Sequence, residues 1–171
     1  MKFWNCKVVP SAHVMAWRVL ENKLATNANL EKRGITVVSS VCSFGGVEEE
    51  SNTYLFFECS FAWRMRNLCW AWLGVQSVFH NIPLLNLSQF RLSNVSVSVN
   101  EVWGVIWIAI VNEIWKHRNK VIFRGGAIDV LKVFALVQLK AWAWVTFKSR
   151  DAIFSFSDWC VDPLVCMEMM F

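Results

Sequence analysis

The chain has 171 residues, of which 56% are hydrophobic, with eleven Trp and thirteen Phe. Such a length suits one domain of ordinary size or a compact core with a short tail, and the apolar content excludes a disordered chain while warning of poor solubility. The net charge of +4 is modest but uneven, because residues 116–150 hold Lys116, Arg118, Lys120, Arg124, Lys132, Lys140, Lys148 and Arg150 against Asp129 alone, a pattern that suits nucleic acid or an acidic surface but is commoner on solvated helix faces.

No long apolar stretch precedes Pro10, and with six cysteines the expected setting is a reduced intracellular compartment, nucleus or cytoplasm, rather than secretion. The glycosylation sequons at Asn86-Leu87-Ser88 and Asn94-Val95-Ser96 then carry no meaning. Pro10-Ser11 opens a predicted helix whose Val14, Trp17, Leu20 and Leu24 recur at three- and four-residue intervals as its apolar face. A short second helix follows Thr26 as N-cap, carries Leu30 and stops at Gly34. The β-prone Ile35-Thr36-Val37-Val38 leads into a loop at Cys42, with Gly45-Gly46 as the turn of a small hairpin.

That loop begins a spacing similar to C-x-x-C followed by H-x-x-x-x-C, the frame of a small four-ligand zinc module. Cys42 and Cys59 stand at two ligand positions, but Gly45 takes the place of the second thiolate and Tyr54 that of the imidazole. Structural zinc needs four soft or borderline donors; glycine has none, and a phenol that ionises near pH ~10 replaces imidazole poorly. No bound cofactor is expected, and a tightly held zinc would require a further donor such as Cys69.

Ser51 caps a predicted helix containing Tyr54-Leu55-Phe56-Phe57, and Phe61 through Leu73 forms another that ends at Gly74. Residues 75–100 read as a loop with one short helix near Leu84 to Phe90. A long helix is predicted from Glu101 to Phe123, halted by Gly125-Gly126, with Trp103, Trp107, Ile110 and Ile114 as a core stripe rather than a base-stacking platform. Its apolar run at 102–111 is closed by Glu101 and Glu113 and is too short for a membrane span of about 20 residues. A last long helix, about Ile128 to Lys148, turns Leu131, Ala135, Leu139 and Trp142 inward, and the tail from Phe154 to Phe171 shows no clear period. The fold class predicted is mainly α, a small irregular helical bundle with a short β-hairpin or zinc-knuckle-like insertion.

Catalytic machinery is missing from the pattern. Only four aspartates occur, Asp129, Asp151, Asp158 and Asp162, none paired as two-metal phosphoryl transfer requires. Glu48-Glu49-Glu50 reads as a solvated turn, and His13, His80 and His117 as surface or helix-face residues outside any nucleophile–base arrangement. Neither glycine pair has phosphate-loop spacing. No enzyme is expected. Lys116, Lys120 and Arg124, four apart on one helix face, and Arg118 beside them are the candidate nucleic-acid contacts.

The order of these features resembles a known family. Val9-Pro10-Ser11, Ala16-Trp17-Arg18-Val19-Leu20, Asn22-Lys23-Leu24-Ala25-Thr26, Asn29-Leu30, Arg33-Gly34, the broken cysteine frame, Leu55-Phe56-Phe57-Glu58-Cys59 and Ile114-Trp115-Lys116-His117-Arg118-Asn119-Lys120 together resemble the reverse-transcriptase zinc-binding domain of plant non-LTR (LINE-type) retrotransposons. The resemblance implies a degenerate zinc-binding domain over 1–75, a linker over 76–100, a two-helix connecting region over 101–150 packed on it, and a tail over 151–171. It further implies a non-catalytic fragment with at most weak, non-specific affinity for RNA or DNA, and a reverse transcriptase supplied in trans as partner. The alternative is a small membrane-associated or protein-interaction protein.

Overall fold

A computed structural model of the protein describes residues 8–76, 80–90, 97–148 and 153–170. Cys6, the Asn94 sequon, Arg150, Asp151 and the side chain of Lys148 lie outside what is described. Among the described residues the chain is mainly helical and has no sheet.

Helix α1 (Pro10–Leu20) places proline in its first turn, where the missing N–H costs nothing. Its buried side is Ala12, Met15, Ala16 and Val19; of the predicted stripe Leu24 is buried beyond the helix end and Trp17 and Leu20 pack half-buried against the core, while Val14 is 43% exposed. Both sides of α1 are apolar, so periodicity alone does not choose between them. The two alanines present a low surface on which the longest helix of the chain can lie close. Helix α2 (Asn27–Lys32) is short, with Thr26 Oγ1 accepting the Asn29 N–H at 3.4 Å and Gly34 left-handed at φ +75°. Between the two helices Asn29 Nδ2 donates to the carbonyls of Asn22 and Leu24, and Asn52 Nδ2 donates to the Val19 carbonyl at 2.8 Å. The asparagines of the motif thus tie the α1–α2 corner together.

Ile35–Val38 forms no strand, and the expected hairpin reduces to one isolated antiparallel bridge between Val41 and Glu49. Val38 is fully exposed, so a strand here would have no core face to bury. A π-helical turn, Tyr54–Glu58, replaces the predicted α-helix and runs through Cys59 into α3 (Ser60–Trp72), which ends at left-handed Gly74. Helix α4 (Pro83–Gln89) buries Asn86, the sequon asparagine, whose Oδ1 accepts the Trp107 indole N–H at 2.9 Å.

Helix α5 (Val97–Arg124) is the axis of the molecule, packed on α1 and on α6 (Val130–Lys148). Every residue from Val102 to Ala109 is buried, Trp103 and Trp107 included, which accounts for that apolar run without a membrane. Fully burying a side chain such as Ile106 or Ile108 contributes roughly 1.5–3 kcal/mol. Helix α6 turns the other way from expectation: Val133, Val137, Ala141 and Val145 face the core, while Leu131 and Leu139 lie on the surface. Its 130–147 segment is long and apolar enough to cross a membrane by length and composition, with one third of it buried.

The stretch after Phe154 contains two helices too short to show a period, α7 (Phe156–Val161) and α8 (Pro163–Glu168). Ser155 and Asp158 form a capping box, and Asp162 caps α8 ahead of Pro163. Trp159 is fully buried, donating its indole N–H to the Gln138 carbonyl at 3.1 Å, while its own carbonyl accepts the Trp72 indole N–H at 3.0 Å. One apolar core therefore runs from Val8 to Met170.

Candidate metal centre and its polar support

The four frame positions come from the 42–46 loop and the π turn. On an α-helix, residues five apart point about 140° away from each other, so a ligand pair with that spacing cannot face one ion. The π turn joins residue i to i+5, here through the Cys59 N–H donated to the Tyr54 carbonyl at 2.9 Å, and stacks position 59 over position 54. Ser51 Oγ starts the turn by accepting the Tyr54 N–H at 3.0 Å. The five-residue spacing was itself the sign of a π turn, and reading it as an α-helix missed this.

Cys42 and Cys59 meet. Both are buried, and each perturbs the other: the neighbouring Cys59, with burial, pushes the Cys42 thiol far above its ordinary range, while Cys42 pulls Cys59 down. The Cys59 thiol donates to the Leu55 carbonyl at 3.4 Å. Cys59 is also the N-cap of α3, and its sulfur accepts the Ala62 N–H at 3.4 Å, where the helix's positive end favours a thiolate.

The lost positions are filled by packing. A Cβ placed on Gly46 would stand 2.8 Å from the Tyr54 hydroxyl, so the ring lies directly on the glycine turn. Burial and the two nearby sulfurs raise the phenol above its usual value. Gly45, left-handed at φ +78°, brings no donor. Cys69 is sealed inside α3, and among the described residues no group of three or more His, Cys, Asp or Glu is placed to hold a metal ion. Two thiols, a protonated phenol and a glycine do not fit tetrahedral zinc.

A charged cluster beside the thiols holds the loop in their stead. Glu50 is fully buried rather than part of a solvated acidic turn. Its Oε1 accepts Nε of Arg118 at 3.1 Å, Nη2 of the same guanidinium, and the Asn27 N–H at 3.3 Å, while Oε2 accepts the Ser43 N–H at 3.3 Å. Arg118 Nη2 also donates to Asn27 Oδ1 at 3.0 Å, and Asn27 Nδ2 to the Ser39 carbonyl at 3.0 Å. This network joins α2, the 39–43 loop and α5, and nothing in the local sequence announced it, since Glu50 and Arg118 are 68 positions apart.

The cationic candidates consequently separate. Arg118 is only 3% exposed and committed to Glu50, away from the surface where Lys116, Lys120 and Arg124 stand. Lys116 shares Glu113 at 2.9 Å. His117 is buried, not superficial: its ring stacks on Phe44 and Phe61 with centroids 5.7 and 5.4 Å away, and its Nε2 accepts the Asp129 N–H at 3.2 Å. Burial, and secondarily the charge of Lys120, lower its pKa.

Residues 1–65 match the family model described as zinc-binding in reverse transcriptase, which covers α1, α2, the thiol loop and the π turn. The likeness is confined to this segment, which is similar to a zinc-binding domain of reverse transcriptase. No curated protein and no solved structure matches the chain.

Proposed function

We propose that the protein is a non-catalytic module derived from a LINE-type retroelement of plants, which holds single-stranded nucleic acid weakly and without sequence preference inside the cell, next to a reverse transcriptase acting in trans. The observation that carries this reading is the exposed row Lys116, Lys120 and Arg124 along the outer end of α5, behind a segment similar to a zinc-binding domain of reverse transcriptase. Three phosphate contacts imply a salt dependence of log affinity near −2, at about 0.7 per contact for single strands. Fluorescence anisotropy with a labelled single-stranded RNA between about 50 and 200 mM salt tests it. Binding that falls along that slope, and is lost in the Lys116→Ala/Lys120→Ala/Arg124→Ala variant, supports the proposal; affinity absent at low salt, or indifferent to salt, defeats it.

A second reading, a membrane-associated or protein-interaction role, draws on α6, whose outward Leu131, Leu139 and Phe147 form an apolar surface. Retention of tagged, unaggregated chain in carbonate-washed membranes would favour it over the first.

A further inference from the structure

The outer end of α5 presents more than its row of cations. Given the single-strand reading on which this site depends, we propose that the groove between the 36–43 loop and α5 takes an unstacked base of the bound strand, laid against Phe123, while Lys120 and Arg124 hold the adjoining phosphates.

Position on the helix comes first. At 3.6 residues per turn, Lys120 and Arg124 lie about 40° apart around the α5 axis, Phe123 stands about 60° to the other side of Lys120, and Ile122 and Arg118 lie farther round the same way. Phe123 therefore separates the cationic row from the groove, and it lines that groove while remaining 74% exposed. A strand that follows the cations passes along its edge. Second, the groove is furnished for a neutral, flat group. Its volume of about 450 Å³ falls within the roughly 300–1,000 Å³ of small-molecule clefts. Leu30, Val41 and Ile122 supply apolar wall, while the exposed Thr36 and Ser39 bring hydroxyls that donate or accept, and so meet any base edge without sequence preference. Among the described residues no carboxylate lines it, and its one charged side chain, Arg118, is committed to Glu50 and Asn27. A phosphate thus finds no free charge inside the groove and is left to Lys120 and Arg124, whereas an uncharged base loses little by entering. Third, an aromatic ring standing in water beside cations is the arrangement that holds single strands irrespective of sequence, the ring taking the base and the cations the backbone. Trp103 and Trp107, sealed in the core, cannot serve in this way.

The test compares two labelled single strands of equal length and charge by fluorescence anisotropy at about 50 mM salt, an oligothymidine and the same backbone built of abasic tetrahydrofuran units. The full chain is expected to hold the base-bearing strand about 5- to 150-fold more tightly, the contribution of one stacked base. Phe123→Ala abolishes that preference and leaves the affinity for the abasic strand unchanged, whereas Phe123→Trp keeps it. Thr36→Leu, which intrudes on the groove from the loop, lowers the preference as Phe123→Ala does. Lys120→Ala weakens both strands alike. All four substitutions fall at exposed positions, and circular dichroism is expected to show each variant folded. Equal, salt-dependent binding of the two strands overturns the base site and leaves the phosphate reading standing; so does a preference that survives in Phe123→Ala or in Thr36→Leu. No binding of either strand at this salt overturns both.

Discussion

The thiol loop and the α5–α6 pair are held together by opposite means. Residues 35–53 contain almost no regular structure, and their polar backbone is satisfied by side chains converging on Glu50: Asn27, Arg118 and the amides they orient. The helical pair is held largely by apolar burial, with Ile106 and Ile108 of α5 and Val133 and Val137 of α6 all in the core. A loop that lacks both a sheet and a full set of metal ligands needs some other centre. Here a buried ion pair takes that place, and its geometry is more demanding than packing, because each charge is costly without its partner.

Removing one partner should therefore produce the largest effect of any single change. Arg118→Ala leaves Glu50 buried and unpaired and is expected to destabilise the protein by about 3–5 kcal/mol in urea unfolding, while the joint Glu50→Leu/Arg118→Met replacement recovers most of that loss. An equal loss in the single and joint variants would mean that the pair is not the centre of the loop. On the apolar side, Ile106→Ala is expected to cost about 2–5 kcal/mol by the same measurement, with no partner substitution able to restore it except one that refills the volume. The smallest effect lies where the two regions meet, at His117, between Phe44 of the loop and Phe61 of α3. Its pKa is lowered in the fold, so the unfolded chain takes up the proton first, near pH ~6.5. Its contribution is complete above that pH and declines as the pH falls from there through the lower folded-state value. Unfolding midpoints measured from about pH 7.5 to 5.5 should drop less steeply in His117→Gln than in the parent; parallel slopes would assign the acid sensitivity to other groups.

Legibility in the sequence followed the range of the forces involved. Caps and stops were readable because each is settled within a few residues. Thr26 and Ser51 each accept the N–H three positions ahead, and Gly34, Gly74 and Gly125 take the left-handed conformation at helix ends. The spacing of Cys42, Gly45, Tyr54 and Cys59 is likewise a matter of residue order alone. The faces of α1 and α6 were not. Both helices are apolar on opposite sides, and Leu131 and Leu139 satisfied the helical period as well as Val133 and Val137 did, so the choice fell to whichever stripe fits α5.

From its residues in order, this chain declares a helical protein, the positions of its turns and an incomplete zinc frame, because propensity, capping and donor chemistry are local. Folding in three dimensions settled which side of each helix is dry, that Arg118 serves Glu50 rather than the surface, and that Cys42 finds Cys59. Those outcomes depend on desolvation and on contacts between distant segments, and neither exists until the chain has closed on itself.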